Sequence, residues 1–120
     1  MSSFFALMSL LALAMSVPLQ KRDVFVPPVL DPHQETVWYV GQQAEVVWDT
    51  SNAPAQITNS EGQIYLVVNN LIDFDYLLAN DFNILDGSVM VTVPDVPTGI
   101  YAIVLFGDSG NFSQNFTIIA

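Results

Sequence analysis

The chain has 120 residues, with 12 Asp or Glu, two Lys or Arg, one His and no Cys. Both basic side chains, Lys21 and Arg22, precede every acidic residue, so residues 23–120 carry all 12 carboxylates and neither Lys nor Arg. This composition argues against binding to nucleic acid or to anionic lipid, which requires basic side chains, and against a disulfide scaffold.

The N-terminal segment has the pattern of a secretory leader. Residues 4–15 are apolar except for Ser9, and this run matches the core of a helical signal peptide but is too short to span a bilayer, which takes roughly 20 residues. Small residues on its C-terminal side predict cleavage between Ser16 and Val17. A buried N-terminal helix is the alternative interpretation.

A second processing site is predicted after the leader. Lys21-Arg22 is typical of kexin-type cleavage after Arg, and the alternative is a chance basic pair in a flexible tail. We therefore expect a signal peptide at 1–16, a pro-segment at 17–22 and a mature domain at 23–120. With no other apolar run long enough for a membrane span and no apolar tail for a lipid anchor, we expect a secreted protein in the extracellular space or the cell wall.

The mature domain has the pattern of short strands. Residues 44–49 and 88–93 alternate with period 2, which is typical of half-buried strands, and residues 100–106 are apolar on both faces, as in a central strand. Residues 71–86 fit neither period, and we predict one short strand at 76–78 amid irregular loops. The remaining predicted extended segments are residues 23–29, 36–40, 64–68 and 112–119.

About seven short strands separated by turns predict an all-β immunoglobulin- or fibronectin-like sandwich of two antiparallel sheets. Tyr101 follows the Pro97-Thr98-Gly99 turn and opens a late strand. This is where a tyrosine corner lies in such sandwiches.

Three segments carry a family resemblance: ETVWYVG (35–41), WDTSNAP (48–54) and PTGIYAIVLFGDSGNFSQNFTI (97–118). Together they resemble the fungal Ser/Thr-rich glycosylphosphatidylinositol-anchored membrane family, whose N-terminal Ig-like domain is shared with yeast cell-wall proteins linked to β-1,6-glucan assembly. The resemblance implies the fold and a wall or extracellular setting. It implies no catalytic residues. The Ser/Thr-rich stalk and anchor signal frequent in that family are not in this sequence, so covalent wall attachment is not expected.

Two tryptophans are candidates for stacking on sugar rings. Trp48 shares the apolar face of its strand with Val46, which favours core packing. Trp38 lies between two apolar neighbours, and the sequence leaves open whether it is buried or is a sugar contact at the surface.

Two neighbouring segments near the C-terminal end are acceptor sequons for N-glycosylation, Asn111-Phe112-Ser113 and Asn115-Phe116-Thr117. Residues four apart on a strand share a face. We therefore expect Asn111 and Asn115 to face solvent, with Phe112 and Phe116 on the core side, and at least one Asn to carry glycan.

Metal and catalytic sites are not predicted. The densest carboxylates, Asp73-Phe74-Asp75 and residues 81–86, do not fit an EF-hand, because its fifth position would be Leu85 and its glycine would fall one place late. A looser calcium site and a solvated acidic surface remain as alternatives. His33 is the single His, and the sequence has no Cys nucleophile, two-His metal motif or Gly-rich phosphate loop. We expect no cofactor.

The sequence therefore favours a non-catalytic module of the fungal cell wall, either structural or glucan-binding. Its expected partner is wall polysaccharide or a wall glycoprotein, and its oligomeric state is left open. The alternative is a freely secreted interaction protein that resembles an effector.

Overall fold

The structure is a computed structural model that describes residues 24–55, 57 and 59–120. The predicted signal peptide, the cleavage site at Ser16 and Val17, and the Lys21-Arg22 site lie outside the described residues. The described residues contain nine strands: β1 (Val29–Asp31), β2 (Val37–Tyr39), β3 (Gln43–Trp48), β4 (Glu61–Val68), β5 (Leu71–Asn83), β6 (Ser88–Thr92), β7 (Gly99–Phe106), β8 (Gly110–Phe112) and β9 (Phe116–Ile119). A single 3₁₀ turn, Ile84–Asp86, joins β5 to β6.

The strands form two sheets. One has three strands in the order β1-β3-β6, and the other has six, in the order β2-β9-β7-β4-β5 with β8 also paired to β7. All pairs are antiparallel except β2 with β9, which run parallel. The predicted all-β, two-sheet immunoglobulin- or fibronectin-like sandwich is confirmed, with more strands than expected and one parallel pair.

The core lies between the two sheets and is built from alternate residues of their strands. In β3, Val46 and Trp48 are buried, and in β4 and β7 the inward residues are similarly buried. The Trp48 indole Nε1 donates a hydrogen bond to the Ile84 carbonyl at 2.6 Å, so its polar atom is satisfied inside the core. The core position predicted for Trp48 is confirmed.

The prediction of one short strand at 76–78 is wrong. Residues 71–83 form the 13-residue edge strand β5, paired to β4 along its length. The register between these strands shifts at three places, between Gly62 and Gln63 and on both sides of Tyr65. Each β-bulge reverses the relation between residue number and face, so a long bulged strand shows no constant period in its sequence.

The predicted single strand at 112–119 is two strands. The chain leaves the sheet after Phe112 and returns at Phe116. Between them, Ser113 is buried, and its Oγ accepts a hydrogen bond from the Ile103 amide at 3.0 Å. A side-chain oxygen thus replaces a backbone partner on β7, and the face alternation is interrupted.

The predicted tyrosine corner is present. The Tyr101 hydroxyl donates to the Pro97 carbonyl at 2.7 Å, and the ring is buried at the start of β7. The bond holds the turn that precedes this central strand.

Candidate functional site

The outer face of the six-stranded sheet carries an unusual set of side chains. Along β4, Ile64 and Leu66 are buried in the core, whereas Glu61, Gln63 and Tyr65 alternate with them and lie on the outer face. The register with β7 places Gln63 opposite Phe106 and Tyr65 opposite Val104. Residues opposite one another in a sheet share a face, so these side chains form one continuous surface.

A groove of about 370 Å³ lies on this surface. Its apolar walls come from three different strands, with Tyr65 on β4, Phe74 on β5 and Phe106 on β7. Its polar edge is formed by Asn59, Glu61, Gln63 and Gly107. We call these seven residues the aromatic groove.

Two of the three rings stand at steep angles to the third, that of Tyr65. Phe74 and Phe106 meet Tyr65 with ring centroids 5.1 Å and 6.0 Å apart and interplanar angles of 68° and 77°. Such edge-to-face pairs are the favoured geometry for aromatic rings. Phe74 is nevertheless 66% exposed, so much of its surface remains open to a ligand.

Glycine fixes the position of the Phe106 ring. Phe106 lies opposite Gly110 in the β7–β8 hairpin, and a Cβ atom added to Gly110 would lie 2.8 Å from the Phe106 ring. The ring therefore lies over bare backbone, which holds one wall of the groove in place.

Hydrogen bonds organise the polar edge. The Asn59 Nδ2 donates to the Gly107 carbonyl at 3.2 Å, and its Oδ1 accepts from the Glu61 amide at 3.0 Å. The Asp108 Oδ1 accepts from the Asn59 amide at 3.0 Å. Within the part of the chain that the structure describes, the side chains of Glu61 and Gln63 make no hydrogen bond, so both are available to a ligand.

Next to the groove, the same outer face carries a small second cluster of buried apolar residues. Val67, Ala102 and Val104 are buried there, with Ile72 packed against them. This packing explains why β7 is apolar on both faces, since one face meets the main core and the other lies under the outer cluster. Tyr65 and Phe106 of the groove pack against the same cluster.

A second, smaller groove of about 190 Å³ lies at the other end of this face. It is lined in part by Asn69, Asn70, Ile100 and Asn115. Asn69 and Asn70 both have positive φ, of 52° and 65°, and form the two-residue turn that joins β4 to β5. Positive φ at both positions is typical of type I′ hairpin turns, where Asn is well tolerated.

The two sequon asparagines have different surroundings. Asn115 is exposed, as expected for a glycan acceptor. Asn111 is half-buried, and its Nδ2 donates to the Pro27 carbonyl at 2.6 Å. Phe112, expected on the core side, is 48% exposed, because it lies opposite Val104 on the outer face. Glycan occupancy stays a prediction.

The candidate sugar contact at Trp38 is wrong. Trp38 is 3% exposed, and its ring packs edge-on against Phe116 with centroids 4.6 Å apart. Its apolar neighbours Val37 and Tyr39 are the exposed ones, because the strand alternates around a buried tryptophan. Trp38 thus has no free ring face to offer a sugar.

The other polar candidates lie apart from the groove lining. His33 is exposed, with its Nδ1 3.3 Å from Asp31 Oδ1 and 3.0 Å from Thr36 Oγ1. Thr36 in turn donates to Asp31 at 2.7 Å, so the three side chains form a surface turn. Across residues 24–55, 57 and 59–120, no three His, Cys, Asp or Glu side chains lie close enough together to hold a metal ion. The same residues include no helix long and apolar enough to cross a membrane.

Sequence reasoning missed the aromatic groove. The alternation of Glu61, Gln63 and Tyr65 with apolar residues was a usable signal, but the strand was predicted to begin only at Ile64. Phe74 lies in the bulged strand, where the face of a residue cannot be counted from its number. Chemically, the groove combines exposed ring surface with one carboxylate and one amide side chain that are free to hydrogen-bond.

Comparisons with known proteins give a fold neighbour only. No family model matches the sequence, and no curated protein matches it. Among solved structures, the chain is similar to the fibronectin(III)-like modules of CbhA from Clostridium thermocellum, at 11% sequence identity and a TM-score of 0.48, covering 79% of this chain and 95% of that one.

Proposed function

We propose that this chain is a secreted, non-catalytic module that binds cell-wall polysaccharide in the aromatic groove. The proposal rests on one observation: three aromatic side chains and several polar ones line the same groove on the exposed face of a sheet. A groove of this kind can accept part of a chain-like ligand, because it lies on the exposed face of a sheet rather than in an enclosed cavity.

The chemistry of the groove matches that of a sugar ring. A pyranose has a C–H face that packs on an aromatic ring and a rim of hydroxyls that need hydrogen-bond partners. The rings of Tyr65, Phe74 and Phe106 supply the first kind of contact, and Glu61 and Gln63 supply the second. Binding sites with mainly apolar walls and a few placed polar groups gain orientation from the polar groups and affinity from the walls.

A fungal wall setting is part of the proposal and is supported by the sequence. The leader pattern at 1–16 favours secretion, and the three segments that resemble the wall-protein family favour a wall location. The lack of Lys and Arg in residues 23–120 disfavours anionic partners and leaves neutral or cationic wall polymers as ligands.

Retention on insoluble wall β-glucan tests this proposal. We expect the full chain, secreted from a fungal host, to bind, and Phe74→Ala to weaken retention at least tenfold, which corresponds to about 1.4 kcal/mol. Tyr39→Ala is the matched control, because Tyr39 is also an exposed aromatic of the six-stranded sheet but lies on the β2 edge. Equal loss in the two variants would contradict the groove assignment, and failure of the wild-type chain to bind any wall polysaccharide would overturn the proposal.

A freely secreted interaction protein is the second candidate function. The observation that favours it is the apolar outer face, where Ile100 is 61% exposed and Phe112 48%. Exposed apolar side chains on a shared face are a feature of protein interaction sites. Fractionation of the fungal culture separates the two functions, since the wall module is retained on washed walls and an interaction protein accumulates in the medium.

A further inference from the structure

We infer that the polysaccharide bound in the aromatic groove is a polymer of glucosamine with free, protonated amines. This inference rests on the proposed function, because it names the sugar class that the same groove takes. It is carried by three observations, namely the charge of the domain, the carboxylate within the groove and the arrangement of the rings.

The charge of the whole domain favours a ligand of opposite charge. Residues 23–120 contain 12 Asp or Glu and no Lys or Arg. The potential around such a domain is negative, so it repels anionic polymers and attracts cationic ones. Among sugar polymers, free amines at C2 supply regularly spaced positive charge.

One carboxylate lines the groove and a second lies close to its polar edge. The Glu61 side chain lies on the groove lining, exposed and without an internal hydrogen bond in the described residues. Asp108 lies near the polar edge, where its Oδ1 accepts a hydrogen bond from the Asn59 amide, and Asp75 follows Phe74 in the sequence. A ligand amine seated beside Glu61 thus gains a charge-assisted hydrogen bond in a region of negative potential.

The rings add a second attraction for a cation. The faces of aromatic rings carry negative charge density, and a cation within about 6 Å of a ring centroid is attracted by roughly 0.5–1 kcal/mol at exposed sites. Tyr65 has both Phe74 and Phe106 against it at steep angles, and all three rings line the groove. An amino sugar can make two kinds of contact with the rings: its C–H face packs on them, and its ammonium group is attracted to their faces.

A neutral sugar fits the same groove less well. It would cover part of the Glu61 carboxylate and offer it only hydroxyl hydrogen bonds, which are weaker than the charge-assisted bond of an ammonium group. An acetylated amino sugar has the same ring skeleton as the glucosamine polymer but no charge. The acetylated form is therefore the matched comparison.

The test is calorimetric titration of the full secreted chain with three soluble hexamers: glucosamine, N-acetylglucosamine and β-linked glucose. We expect the glucosamine hexamer to bind about tenfold more tightly than the other two at low salt, from one ion pair and one cation–π contact. The preference should largely disappear at about 1 M salt, where the screening length is only about 3 Å. Glu61→Gln, which keeps size and hydrogen bonding, should lose most of the preference.

Glu45→Gln controls for attraction that is not specific to the groove. Glu45 is an exposed carboxylate on β3, in the three-stranded sheet, and its replacement changes the net charge by the same amount. We expect Glu45→Gln to keep the preference. Equal losses in the two variants would show attraction to the whole acidic surface and overturn the inference.

The remaining outcomes separate the inference from the proposed function. Tight binding of glucose or N-acetylglucosamine hexamers, with no preference for glucosamine, overturns the inference and leaves polysaccharide binding intact. Binding of no hexamer and no wall polymer overturns both. A Lys-rich peptide that competes as well as the glucosamine hexamer also overturns the inference, because the groove would then recognise cations and not an amino sugar.

Discussion

The ring of Phe74 meets the ring of Tyr65 edge-on, with centroids 5.1 Å apart. Phe74 belongs to the bulged edge strand β5 and Tyr65 to the neighbouring β4. The bulges around Tyr65 bring Phe74 onto the outer face, where its ring becomes a wall of the aromatic groove. The groove therefore depends on the irregular pairing of these two strands.

Phe74 and Phe82 lie on the same strand but should contribute differently to stability. Phe82 is 9% exposed and packs with its centroid 5.3 Å from that of Trp48. We expect Phe82→Ala to lower the free energy of unfolding by about 3–5 kcal/mol. Phe74→Ala should lower it by less than about 1.5 kcal/mol, the value of an aromatic pair. Chemical denaturation of both variants measures the difference, and a Phe74→Ala loss as large as that of Phe82→Ala would contradict the placement of Phe74.

Gly62 is required by close packing. A Cβ atom at Gly62 would lie 2.2 Å from the Phe82 ring, so Gly62→Ala must displace the ring. Overpacking of this kind costs about 1–3 kcal/mol. Gly99→Ala is the control, because its Cβ would meet the nearest atom at an ordinary 3.6 Å. Thermal melts should show a lower midpoint for Gly62→Ala only, and equal midpoints for the two variants would argue against this packing.

The tyrosine corner should have a measurable effect on stability. Tyr101→Phe removes the hydroxyl that donates to the Pro97 carbonyl and keeps the ring. Loss of one such bond should lower the unfolding free energy by about 0.5–1.5 kcal/mol. Tyr39→Phe serves as the reference, because Tyr39 is exposed on β2, and it should change stability little. A Tyr101→Phe variant as stable as the wild type would mean that the bond contributes nothing.

Asp49 should link stability to pH. Hydrogen bonds from Ser51, whose amide donates to Asp49 Oδ1 at 2.8 Å, lower the pKa of Asp49 below its usual value of 3.8. A carboxylate whose pKa is lower in the folded state stabilises the fold above the unfolded pKa and loses that effect as pH falls through the folded value. We therefore expect wild type to be more stable than Asp49→Asn at neutral pH, with the gap closing below about pH 4.

Thermal melts of both proteins between pH 7 and pH 2 measure this gap. Glu35→Gln, at an exposed carboxylate in the turn before β2, controls for the change in net charge. A gap between wild type and Asp49→Asn that widens in acid would have the wrong sign and contradict the assignment.

The sandwich follows from sequence patterns because most strands alternate regularly. Trp48 and Val46 share a face with period 2, and Tyr101 follows a recognisable turn. These features depend on short-range sequence patterns and on each strand having one buried face. They were sufficient to predict the two sheets and the tyrosine corner.

The groove was not predictable in the same way, because it depends on register. Phe74 reaches Tyr65 only through bulges, and no property of either residue alone reveals where a bulge lies. Trp38 is a second case, since its apolar neighbours left open whether it is buried, and the structure packs its ring on Phe116 from β9. Both contacts depend on how the strands pair in the assembled sheet.

Backbone amide NMR during titration with the soluble glucosamine and glucose hexamers locates the binding surface on this domain. If the aromatic groove is the binding site, the amide signals that shift will cluster at Gln63, Tyr65, Phe74 and Phe106, and those of β3 and β6 in the other sheet will stay in place. Shifts concentrated on the three-stranded sheet, or no shifts with either hexamer, would contradict the claim that this domain binds polysaccharide through its outer aromatic face.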